Sequence, residues 1–123
     1  MKSKSLKIFL FVILLFSIFQ KSNSQTTEVG LTSYYNDKFD GRPTASGMTY
    51  DKTKMTAAHR TLPFNTKIKV TNLINNKSIV VIVNDRGPFI KGRILDLSKA
   101  AAIKLDFINE GVAKVMLEVL EYD

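Results

Sequence analysis

SIVVIVNDRGPF, residues 78–89, decides how this chain folds. Its first half is a continuous β-branched run, which reads as a short strand buried on both faces. Its second half turns abruptly polar, and Gly87 and Pro88 force a turn. Just upstream, KIKVTNL (residues 67–73) alternates Ile68 and Val70 with polar neighbours, the period of a strand with one buried face. Asn75, Asn76 and Lys77 between the two runs form a tight turn, so the pair reads as a hairpin.

The ends of the chain read the same way. Residues 29–35 open a strand with Gly30 and Ser33 among apolar residues, and residues 112–122 (VAKVMLEVLEY) mostly alternate. Residues 98–105 (SKAAAIKL) make the one clear helix, with Ser98 as its N-cap and alanines of high helix propensity behind it. Asp96, just before, reads as a helix-start residue whose charge favours the helix N-terminus. About six strands and one or two short helices point to a mainly β fold and a small closed barrel, because closure removes exposed strand edges.

Lys2, Lys4 and Lys7 precede an apolar run over residues 8–19, and Ser22, Asn23 and Ser24 follow as small residues. That is the layout of a secretory signal peptide over residues 1–24, leaving one domain over residues 25–123. The run falls short of the roughly 18 apolar residues a membrane span needs, so no stable membrane anchor is expected once the leader is removed. The chain has no cysteine, so neither a lipid-bearing thiol nor a disulfide is available. An exported, soluble, unlipidated monomer is expected, periplasmic or secreted. Losing Lys2, Lys4, Lys7 and Lys21 with the leader lowers the formal charge from +7 to +3. The remaining basic residues are scattered singly, which argues against a nucleic-acid partner.

A single histidine and no thiols fall short of the usual zinc ligand sets, and a serine or cysteine nucleophile has no evident partner base. Carboxylate chemistry remains. Asp85 is the leading candidate, since a carboxylate at the end of a rigid strand is held better than one on a free loop. The plainer reading makes Asp85 a turn residue bonded to backbone amides or to Arg86. His59, in TAAHRTLP, is either a packed, hydrogen-bonded histidine or an imidazole that orients a carboxylate or donates to a sugar. Tyr34 and Tyr35 offer an aromatic platform for a sugar ring, but strand alternation sends them to opposite faces, so at most one meets a ligand.

Together GLTSYYNDKFDGRPTASGMTYD, TAAHRTLPFNTKIKVTNL, VNDRGPF and GRILDLSKAAAIKL resemble the rare lipoprotein A family, septal-ring lytic transglycosylases with a double-psi β-barrel. The resemblance runs from about residue 29 to residue 121, and VNDRGPF with TAAHRTLP at this spacing is its specific part. It implies a six-stranded barrel related to barwin-like endoglucanases and expansins. It also implies a substrate, the glycan strands of peptidoglycan, and a reaction without cofactor: non-hydrolytic cleavage of the MurNAc to GlcNAc β-1,4 bond, closing a 1,6-anhydro ring. By the same resemblance Asp85 matches the catalytic aspartate and His59 a site histidine; from the residues themselves Tyr34 or Tyr35, with Arg86, is expected to bind substrate. Where the family reads A-(S/N)-G-E, with the glutamate as general acid, this chain has Ala45-Ser46-Gly47-Met48. A thioether donates no proton, so Met48 opens an alternative, a non-catalytic, expansin-like module that binds glycan or loosens the wall. Many members carry a lipidated cysteine and a C-terminal glycan-binding module; this chain has no cysteine, and no such module is expected on it. A third reading is a secreted barrel for another polysaccharide or a protein partner.

Overall fold

The computed structural model describes residues 26–122, so the signal-peptide expectation lies outside the described residues. Six strands form the barrel: β1 (Thr27–Tyr34), β2 (Thr56–Ala58), β3 (Lys67–Asn72), β4 (Ser78–Asp85), β5 (Arg93–Leu97) and β6 (Ala113–Glu121). One helix, α1 (Lys99–Lys104), and a single 3-10 turn, Asp37–Phe39, complete the regular structure of these residues. The strands close in the order β1-β5-β2-β4-β3-β6. β1 with β5 and β2 with β4 run parallel, and the other four neighbouring pairs run antiparallel.

Exchanging the first three strands for the last three maps this order onto itself. Every hydrogen-bonded pair then joins one half of the chain to the other. Neither half makes a sheet of its own.

Inward positions recur with period two, as a pleated strand requires. Ile68 and Val70 of β3, Val81 and Val83 of β4, Leu95 and Leu97 of β5, and Val115 and Leu117 of β6 are all buried in one core. Their counterparts on β4, Val80 and Ile82, face outward, 47% and 36% exposed. The run in residues 78–83 is therefore not buried on both faces, because a closed barrel has one interior and no second layer covers this wall. The alternation predicted for residues 67–73 and the hairpin through Asn76, which adopts a left-handed φ of 62°, are both present.

Helix α1 seats Ala101 and Ala102 in the core beside Leu105 and Phe107. Ser98 caps it, its side chain accepting from the Ala101 N–H at 3.3 Å. Asn72 and Asn75 close the other end, each amide donating to the Leu105 carbonyl at 2.9 Å. Asp96 is a strand residue and not a helix-start residue. It lies within β5, where its carboxylate accepts from the Ser33 hydroxyl at 2.7 Å, because strand pairing carries the backbone extended as far as Ser98.

Candidate functional site

Asp85 ends β4 beside a bulge. Ala57 pairs with Val83 and Ala58 with Asp85, so Asn84 is the extra residue. A bulge bends its strand and re-aims the side chains next to it. The Asp85 carboxylate then receives three donors: the Tyr35 hydroxyl on Oδ2 at 2.5 Å, and on Oδ1 the N–H groups of Ala45 at 2.8 Å and Arg86 at 2.9 Å. Burial first, and then the hydrogen bond to Asp85, push the Tyr35 phenol well above the ordinary tyrosine range, so it remains a donor. Tyr35 in turn rests on Tyr50, with ring centroids 4.5 Å apart, and Tyr50 is 2% exposed.

Residues 44–48 are stitched to the same strand end. The Ser46 N–H donates to the Asn84 carbonyl at 3.3 Å, next to the Ala45 contact on Asp85. The Thr44 N–H and hydroxyl both donate to the Met48 carbonyl, at 2.8 and 2.6 Å. Gly47 makes this tight turn possible at φ +89°, a region that costs a side chain strain. Met48 is thus anchored through its backbone, yet the residue is 52% exposed. It lines a depression of about 250 Å³ with Thr49, Asp51, Lys54, Thr56 and Asn84.

The other expected site residues are placed as follows. His59 is 6% exposed, and its Nδ1 accepts the N–H groups of Thr61 at 3.1 Å and Leu62 at 3.0 Å. Its Nε2 must then carry the proton and donate to Glu28 at 3.1 Å. The histidine meets Asp85 through backbone alone, its N–H donating to the Asp85 carbonyl at 3.1 Å. The Arg86 guanidinium lies 4.0 Å from the Phe64 ring centroid and donates to the His59 carbonyl at 3.2 Å. Tyr34 and Tyr35 diverge, as alternation predicts. The Tyr34 hydroxyl donates to the Ile108 carbonyl at 2.9 Å, and its ring meets Phe107 edge-on. Both tyrosines also border a depression of about 230 Å³ with Asn36, Asp37, Lys99 and Ile108.

Asp51 and Asp40 are the carboxylates nearest Met48 in sequence. Hydrogen bonds from the Thr53 hydroxyl and N–H, at 2.6 and 2.9 Å, hold Asp51 below the usual carboxylate range. That is the wrong direction for a general acid. Asp40 accepts the Lys52 N–H at 2.9 Å. Sequence reasoning missed three residues beside the site. Asp96 pairs with Ala58 on the side opposite Asp85, and Thr56 and Asn84 line the Met48 depression. Alternation over residues 93–97 would have placed Asp96 opposite Leu95 and Leu97, but so short a strand was not read. Among the described residues no group of three or more His, Cys, Asp or Glu side chains is placed to hold a metal ion.

A closed barrel of six strands with two parallel pairs, carrying its polar site where β4 ends, is a double-psi β-barrel. The chain belongs to the lytic transglycolase family, matching it over residues 27–117. It is 51% identical to the endolytic peptidoglycan transglycosylase RlpA of Pasteurella multocida, over 76% of this chain and 32% of that protein. The protein of the same name from Campylobacter jejuni is 52% identical, over 78% of this chain and 35% of its own length. The chain thus spans about a third of the curated relatives it matches. Among solved structures, the Streptomyces papain inhibitor superposes with a TM-score of 0.64 at 24% identity, over 78% of this chain and 96% of its own. A mutant Clavibacter michiganensis expansin, solved in complex with cellohexaose, gives 0.63 at 19% identity, over 78% and 51%. At such identities the likeness shows the fold alone.

Proposed function

We propose that the chain is exported and acts on peptidoglycan glycan strands as a lytic transglycosylase, soluble and monomeric. The observation that carries this reading is the Asp85 carboxylate, fixed by three donors at a bulged strand end and tied to the loop that bears the family's acid position. Cleavage breaks the bond between the MurNAc anomeric carbon and the oxygen of the next sugar. The MurNAc 6-hydroxyl oxygen takes the vacated position, closing the 1,6-anhydro ring, and its proton balances the one the leaving oxygen gains. Asp85 accepts the 6-hydroxyl proton, stabilises positive charge developing at the anomeric carbon, and, with no separate acid in this chain, passes that proton on to the leaving oxygen.

Met48 removes the separate acid from this scheme. General acid catalysis typically contributes about 10²- to 10⁴-fold, or roughly 3 to 5 kcal/mol, so slow turnover is expected. The exposed thioether also favours a second reading, a barrel that holds glycan without cutting it.

The test is to incubate the protein, Asp85→Asn and Met48→Glu with peptide-free glycan strands and read anhydro-ended products by mass spectrometry. Products from the protein that vanish in Asp85→Asn support the cutting reading, and Met48→Glu should then raise the rate by about 10²-fold or more. Products from Met48→Glu alone would establish the binding reading.

A further inference from the structure

Three buried side-chain oxygens among the described residues have no hydrogen-bond partner: Thr56 Oγ1, Thr66 Oγ1 and Asn84 Oδ1. A buried polar group left unpaired is costly and uncommon, and each instance calls for a reason. Two of the three, Thr56 Oγ1 and Asn84 Oδ1, belong to residues lining the one depression under Met48. Asn84 is 2% exposed and is the bulged residue of β4, so the irregularity that re-aims Asp85 also places an unpaired amide oxygen among the residues lining this depression.

We propose that this depression is a subsite for the acetamido group of an N-acetylated amino sugar. The inference rests on the glycan-directed reading above and narrows it to one substituent. An acetamido group presents one N–H donor, one carbonyl acceptor and one methyl. Among its lining residues Asn84 carries an amide and Thr56 a hydroxyl whose buried oxygens are unpaired, and Met48 adds an apolar side chain over them. Either orientation of the Asn84 amide finds a complement, since the ligand has both a donor and an acceptor. Access depends on Met48: an unbranched thioether with three rotatable bonds folds aside as a ligand enters and packs back against the methyl. That gives a physical use for a methionine in a polar turn.

The experiment is a titration of isotope-labelled protein, followed by amide resonances, with three neutral or basic trisaccharides: chitotriose, its fully de-N-acetylated form, and cellotriose. Chitotriose is expected to shift Met48, Thr56 and Asn84 and to bind roughly 10-fold more tightly than the other two. Thr56→Val supplies a variant that keeps its shape. The hydroxyl it removes bonds to nothing in the fold, so the melting temperature should hold or rise while chitotriose binds about 3- to 10-fold more weakly. Equal affinity for the three sugars, shifts elsewhere on the barrel, no chitotriose binding, or a Thr56→Val variant that binds normally would each overturn the proposal and leave a depression that holds only water. Failure here is separable from failure of the cutting reading. Cleavage that ignores N-acetylation removes the subsite alone, whereas acetamido binding without anhydro products removes the cutting alone.

Discussion

Tyr35 couples β1 to the end of β4 through one hydrogen bond, and its proton is what makes that bond. Burial and the neighbouring Asp85 raise its folded-state pKa, so the stability it contributes is fully present below the unfolded tyrosine value of about 10. Above that pH the unfolded chain ionises while the folded one does not, and the contribution is lost as pH rises. Urea melts over an alkaline series should therefore fall more steeply for the protein than for Tyr35→Phe, which should also lose about 1 kcal/mol at neutral pH. Identical alkaline slopes would remove Tyr35 from this role. At this scale the sequence made Asp85, Met48 and their loop legible, because each sits in a recognisable motif. It could not reveal Thr56 and Asn84, since lacking a partner is a property of three-dimensional surroundings that no spacing encodes. Nor could it reveal that both ring nitrogens of His59 are already engaged.

The turn after β2 is the element that His59 builds. Its Nδ1 collects two backbone N–H groups that have no other acceptor, so His59→Ala leaves both unpaired, Leu62 within a buried setting. A loss of roughly 2 to 4 kcal/mol in a denaturant melt is expected. His59→Asn, whose Oδ1 can stand near the Nδ1 position, should recover most of that stability. If product formation recovers with it, the imidazole serves the turn; if activity stays lost in a stable His59→Asn protein, the ring takes part in the chemistry. Elements were legible in proportion to their length and period. β3, the hairpin and the cap of α1 were read directly, whereas β2 spans only Thr56–Ala58 and shows no periodicity. The run of residues 78–83 misled for a related reason. Valine and isoleucine suit a strand on either face, so composition does not say that Val80 and Ile82 look outward.

Across the whole molecule, the exchange relation between the two halves makes each the template for the other. All six neighbouring strand pairs cross between residues 27–72 and residues 78–121. A chain divided at Asn75 and Asn76 should give two fragments with little strand signal in circular dichroism when apart and a folded barrel when mixed in equal amounts. Strand signal in either fragment alone would contradict the interlocked arrangement. The barrel class was legible from strand number and chain length, but the strand order was not, because pairing between distant segments leaves no local trace.

That interlock also governs when the protein can take shape. Emerging from a ribosome N-terminus first, β1, β2 and β3 have no edge to join until β4 appears, and the ring stays open until β6 arrives. Distant pairing of this kind makes folding slow. For most of its synthesis the polypeptide is therefore a pliable thread, and it locks only once nearly all of it is free to pair.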